Sequence, residues 1–262
     1  MGKKRVALLR RVSLQKRGPR AVDANETDVS TGDRSDVPAS SLYRLMAWLS
    51  PAYPVGAFSY SSGLEWAVEA GDVTSADELF GWLQCLLMDG AGYCDAVLFA
   101  RAYRVCSSGD DRALGEVAEL AVALAPSRER FLETTAQGRA FLDVTQAAWP
   151  CTAFDRLAKI WRGSLAYPVA VAVAAAGHDV PLEQSLAAYM QAVAANWISA
   201  GIRLIPLGQT DGQRVTALLE PVVAEATRRA LAARLDDAGS AVFRADIAAM
   251  RHETQYSRLF RS

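Results

Sequence analysis

Residues 165–177, LAYPVAVAVAAAG, form the longest apolar run in the chain, and how they are read decides the fold. The run is rich in Val and Ala, and periodicity alone does not separate a buried helix from a buried strand here. Two observations favour the helix. Pro168 suits a first helical turn, and no partner strand is evident elsewhere in the sequence. At thirteen residues the run also falls short of the roughly 17–25 that a bilayer span requires. A helix over Tyr167–Ala176 is therefore expected, buried inside the protein, with Gly177 supplying its C-terminal break.

Outward from this run, nearly every long segment fits helical spacing and almost none fits strand alternation. Pro181 opens Leu182–Ala195, with an extension toward Leu204. The stripe Val215, Leu218, Val222 and Ala226 marks another helix, kinked or broken at Pro221, and Leu231 and Leu235 prolong its apolar face. A last short helix runs from about Arg244 to His252. Upstream, Thr152–Arg162 follows Pro150. Ser127 is a candidate N-cap for a helix reaching about Gln146. Leu114–Leu124 and Tyr93–Val105 precede it. In Ser75–Met88 the side chains of Leu79, Phe80, Leu83, Leu86 and Leu87 form one stripe behind a Ser75/Glu78 capping box. The expected architecture is all-α, a single globular domain of about ten helices with short connections, spanning residues 40–262.

The first 39 residues stand apart. Residues 1–20 hold eight Lys or Arg and no acid, whereas residues 21–40 hold five acids and one Arg. Without hydrophobic periodicity, this stretch reads as a variable, disordered extension, although an Arg-rich, acid-poor start also resembles an organelle presequence. The full sequence balances 28 basic against 29 acidic residues, which argues against a nucleic-acid binder. Cys85, Cys94, Cys106 and Cys151 form no CxxC pair, and no secretory signal is evident, so a reducing cytoplasm is expected, with no membrane association.

The familiar catalytic patterns are missing. There is no GxxxxGK[ST] loop to cradle a phosphate and no GxGxxG. Gly56-Ala-Phe-Ser59 lacks the second glycine and the preceding strand of a nucleophile elbow. His252-Glu253 begins like HExxH, but Tyr256 stands where the second ligand belongs. His178 reads as a turn histidine, and the scattered cysteines read as small core residues. The sequence thus predicts no enzyme, no catalytic residues, no metal ligands and no cofactor of its own.

Three irregular segments carry the positive signal. In SPAYPVGAFSYSSGLEW, residues 50–66, Pro51, Pro54 and Gly56 oppose a helix while Tyr53, Phe58 and Tyr60 place aromatic rings on a loop. Such a loop either folds back on its own core or anchors a partner. In NWISAGIRLIPLGQTDG, residues 196–212, Arg203 is the one charge in the strongly apolar part before Gly208 and needs a carboxylate, helix carbonyls or a surface. In MRHETQYSRLFRS, residues 250–262, Tyr256, Leu259 and Phe260 alternate with Arg251, Arg258 and Arg261. A tail of that composition packs on its own domain or on another protein, and the partner is favoured.

Taken in order, SPAYPVGAFSYSSGLEWAVEAG, RLIPLGQTDGQR and MRHETQYSRLFRS resemble the UreF family of urease accessory proteins, over roughly Ser41 to Ser262. The resemblance implies an all-helical homodimer without enzymatic activity that binds UreD (UreH in some organisms). It further implies recruitment of the GTPase UreG into a complex that inserts nickel into apo-urease, with nickel and GTP handled by the complex. Residue by residue, it gives Phe58, with Tyr60, the partner-facing loop, and gives Glu65 the acidic position that influences GTPase coupling. Arg203 takes a basic position, Lys in some members, associated with GTPase recruitment. Arg258 takes the tail arginine of the same role, beside Tyr256 and Phe260 in a tail that becomes ordered when UreD binds. An alternative reading makes the protein a GTPase-activating regulator of UreG, with Arg258 or Arg203 supplying a catalytic group in trans.

Overall fold

A computed structural model describes residues 37–262, so nearly all of the extension read at 1–39 lies outside the described residues. Eleven α-helices follow in order: α1 (Ala39–Trp48), α2 (Leu64–Glu69), α3 (Ala76–Asp89), α4 (Ala91–Ser108), α5 (Asp111–Ala123), α6 (Arg128–Ala148), α7 (Thr152–Ile160), α8 (Tyr167–Gly177), α9 (Leu182–Leu204), α10 (Gln209–Ala232) and α11 (Phe243–His252). Short 3-10 turns occupy Ala57–Ser59 and Leu235–Asp237, and no strand occurs among the described residues. The chain is all-α, as the periodicity predicts.

The apolar run at 165–177 is the central helix. Every side chain of α8 from Tyr167 to Ala175 is buried, and α4, α6, α7 and α9 pack around it. A helix covered on all sides has no polar face, which is why its sequence shows no 3.6-residue rhythm. Small Val and Ala side chains let four neighbours approach at once. The Tyr167 N–H donates to Thr134 Oγ1 at 3.1 Å, satisfying one free group of the first turn. At the other end the break is made differently from the expected glycine stop. Gly177 is the last helical residue, and glycine is needed there for space, since a Cβ would meet Cys151 Sγ at 2.6 Å. The left-handed residue is Asp179 (φ 54°), and the Asp179 and Val180 N–H groups return to Ala176 and Ala175 carbonyls.

Around this centre α10 lies on α9, α3 and α4, while α11 lies on α2 and α6. Capping agrees with the sequence in part. Ser75 Oγ accepts from Glu78 N at 3.3 Å, but the Glu78 carboxylate reaches Thr74 N and Oγ1 (2.8 and 2.7 Å) rather than Ser75 N. Ser127 Oγ accepts from Arg130 N as expected. Two expectations for α10 are corrected. The helix runs through Pro221 unbroken, with the ring on the exposed face, where water can reach the carbonyl that loses its helical donor. The buried stripe is Val215, Leu219, Val222, Ala226 and Ala230, with Leu218 half-exposed, a shift of one position that periodicity over a Pro-containing segment does not resolve. The stretch Ala76–Ser108, comprising α3 and α4, is long and apolar enough to cross a membrane, but 61% of its most apolar window is buried within the domain.

Candidate protein-binding surface

The three irregular segments, far apart in sequence, meet at one place. After the 3-10 turn Ala57–Ser59, Ser62 (φ 55°) and Gly63 (φ 82°) both adopt left-handed backbone and start α2. Only glycine serves at position 63: a Cβ would stand 2.6 Å from the Ala249 backbone nitrogen, so α11 lies directly against this turn. The turn delivers Glu65 into the interior on the first turn of α2, where the helix dipole favours a carboxylate.

There Glu65 holds the C-terminal tail. Its carboxylate accepts from Leu259 N (2.7 Å), Phe260 N (3.0 Å) and His252 Nε2 (3.0 Å). His252 is 0% exposed, and its Nδ1 lies 2.6 Å from Glu129 Oε2 on α6. Each ring nitrogen thus faces a carboxylate oxygen, one from α2 and one from α6. Arg258 Nη1 donates to the other Glu129 oxygen at 2.8 Å. Further along, Arg261 N donates to Ser59 O, Ser61 N to Ser262 O (2.7 Å), and Ser262 Oγ to Glu133 Oε2 (2.7 Å). Glu133 in turn pairs with Arg130, and both hold Ser62 Oγ, which also accepts from Trp197 Nε1 at 2.7 Å.

Phe260, 5% exposed, forms the floor of the surface above this network. Arg203, in the last turn of α9, lays its guanidinium 4.3 Å from the Phe260 ring centre and 3.6 Å from that of Phe58. Its Nη2 donates to Phe58 O (2.9 Å) and its Nε to Ser199 O (3.1 Å), so the apolar stretch resolves its one charge through aromatic faces and carbonyls. Phe58 is 65% exposed, Leu259 is exposed beside Phe260, and Tyr256 is fully exposed. On α11 the side chains of Phe243, Ile247 and Met250, spaced four and three residues apart, form an exposed apolar stripe.

The structure thus brings Phe58, Glu65, Arg203, Arg258 and Phe260 together, but in two layers. Phe58 and Arg203 lie on the surface, and Arg258 is partly exposed. Glu65 and Phe260, read from the sequence as partner-binding positions, are buried in this chain because the tail closes over them; here they shape the surface from below. The tail at 250–262, for which the sequence allows either its own domain or another protein, packs on its own domain and leaves Tyr256 and Leu259 outward. Tyr60 is partly buried at a small internal cavity with Asn196 and Trp197, and the sequence places it on the partner-facing loop instead. His252, Glu129, Arg130 and Glu133 are missed by sequence reading. Among the described residues no cluster of three or more His, Cys, Asp or Glu is arranged to hold a metal ion.

Comparison with known proteins follows this geometry. The UreF family model matches residues 73–220. A urease accessory protein UreF of Rhodopseudomonas palustris is 60% identical over 224 residues, covering 86% of this chain and 94% of that protein. One from Bradyrhizobium diazoefficiens is 58% identical over 234 residues, covering 89% and 97%. One from a Bradyrhizobium species is 55% identical over 241 residues, covering 89% of this chain and the whole of its own length. The class is therefore that of the urease accessory proteins. Within it, the chain belongs to the UreF family.

Proposed function

We propose that the protein is a non-catalytic scaffold of urease maturation that binds UreD (UreH) and recruits the GTPase UreG into the complex that inserts nickel into apo-urease. What supports this most is Arg203, held flat between an exposed Phe58 and the tail's Phe260. A guanidinium oriented on aromatic faces at a partly desolvated surface is the residue combination that dominates binding energy at protein interfaces. In this reading the Phe58–Arg203 face receives UreG. The α11 stripe Phe243, Ile247 and Met250, with Leu259 and Tyr256, supplies apolar area to UreD. The exposed side chains Leu42, Tyr43 and Met46 on α1 supply a further apolar face for a second copy in a homodimer. The four cysteines are free thiols, which accords with action in the cytoplasm.

Point variants test this better than removal of 250–262, since losing the tail would strip buried Glu65, Glu129 and Glu133 of their donors. Purified wild type, Arg203→Ala and Ile247→Asp are compared in pull-downs against UreD and UreG. Arg203→Ala is expected to lose UreG while keeping UreD, and Ile247→Asp to lose UreD. Retention of both partners by both variants would defeat the assignment. Arg203 and Arg258 are already engaged, by two rings and two carbonyls and by Glu129 respectively, which favours the scaffold over a catalytic finger supplied in trans. GTP hydrolysis by UreG separates the two: stimulation lost in Arg258→Ala with binding intact would restore the finger.

A further inference from the structure

The polar interior beneath the tail continues inward to a charged pair that the proposed surface does not use. Arg130 on α6 is buried; Nη1 donates to Ser62 Oγ at 2.8 Å and lies 2.6 Å from Glu133 Oε1, yet Nε is buried with no acceptor. Asp95 on α4 receives one hydrogen bond from the described residues, the Tyr189 hydroxyl at 3.1 Å from Oδ2. Both side chains line two cavities of about 30 Å³ each, one reaching Gln137 and Asn196, the other reaching Pro126 and Ser240. They share both cavities, but no direct ion pair joins them.

A buried N–H without a partner is rare in folded proteins, and ordered water is the usual remedy where space and polar neighbours exist. A single water needs roughly 10–15 Å³ of such space, so each cavity has room for about two or three. We infer that water occupies the gap between Asp95 and Arg130, bridging the carboxyl to the orphaned Nε–H as an internal hydration site. The site is also protonatable. Burial pushes the Asp95 carboxyl up to about 6, with Glu133 adding to the rise and Arg130 and the Tyr189 hydrogen bond opposing it. The remaining groups around it are Tyr167 from α8, Tyr60 from the aromatic loop and Cys94 beside it on α4. The Cys94 thiol is pushed up to about 12 by burial and by Asp95, with Asp246 of α11 adding to the rise, and is neutral here.

The sign follows directly. An aspartate ordinarily titrates near ~3.9, so between about pH 4 and pH 6 the folded chain binds more protons at Asp95 than the unfolded chain does. Stability contributed by this site falls as pH rises through that window and levels off above it.

A crystal structure of the full chain at neutral pH, at a resolution that orders water, should show water bonded to both Asp95 and Arg130 Nε. A dry gap, or a direct Asp95–Arg130 pair, would overturn the inference. In wild-type protein carrying ¹³C-labelled aspartate, the Asp95 carboxyl resonance should titrate near about pH 6; a carboxyl that stays ionised down to about pH 4.5 would remove the protonatable site. Asp95→Asn should melt higher than wild type by an amount that grows from about pH 4 to pH 6 and then levels off, reaching about 2–6 °C. A difference independent of pH would count against it.

Discussion

Two buried regions of this protein are built on opposite chemistry. Around α8 the interior is dry and made of Val and Ala, with helices packed on every side. Beneath the tail the interior is equally inaccessible but is made of Glu65, Glu129, Glu133, Arg130 and His252, each satisfied by a partner on another segment. The first region is stabilised by area removed from water and tolerates small errors, since each methyl contributes a little. The second joins its charged groups by hydrogen bonds across segments, with Arg130 Nε the exception, so removing one member leaves a buried charge uncompensated. The aromatic-basic surface stands on the second region.

That contrast can be broken, and the largest effect belongs to the ionic side. His252→Ala should cost about 3–5 kcal/mol and release the tail, because Glu65 and Glu129 then face each other without the ring between them. Denaturant unfolding gives the stability, and limited proteolysis should show cleavage near Tyr256. Next, Val171→Ala in α8 should cost only about 1–3 kcal/mol by lost area plus a small cavity, with the tail still protected. A larger loss at Val171 than at His252 would invert the comparison. The smallest effect lies outside both regions: Ser75→Ala removes the α3 cap and should lower stability by about 1 kcal/mol, read by the same unfolding curve, with partner binding untouched.

The dry region was legible from sequence, because helical spacing, Pro168 and the caps at Ser75 and Ser127 are local signals. The ionic region was not. On α6 the polar residues Glu129, Arg130, Glu133, Thr134 and Gln137 share the buried face, while Leu132 on the other side is half-exposed. Such a helix reads as inside-out, since spacing reports which residues share a face and not what covers that face. The cover comes from the tail and the 61–65 turn, more than a hundred residues away on one side and about seventy on the other. His252 carries no local mark at all: its partners, Glu65 and Glu129, come from two other helices. The one-position slip at Leu218 has a smaller cause, the neighbouring Pro221. The three irregular motifs were individually visible, and the resemblance they carried led to the family; their meeting at Arg203 needed three dimensions.

The Gly63–Ala249 contact has a consequence for biosynthesis. The turn at 61–65 leaves the ribosome 187 residues before the histidine that bonds its carboxylate, and the backbone that seats on it is made in the same late stretch. Until those residues are made, Glu65, Glu129 and Glu133 lack the donors that the tail brings, and the face they line stays open to water.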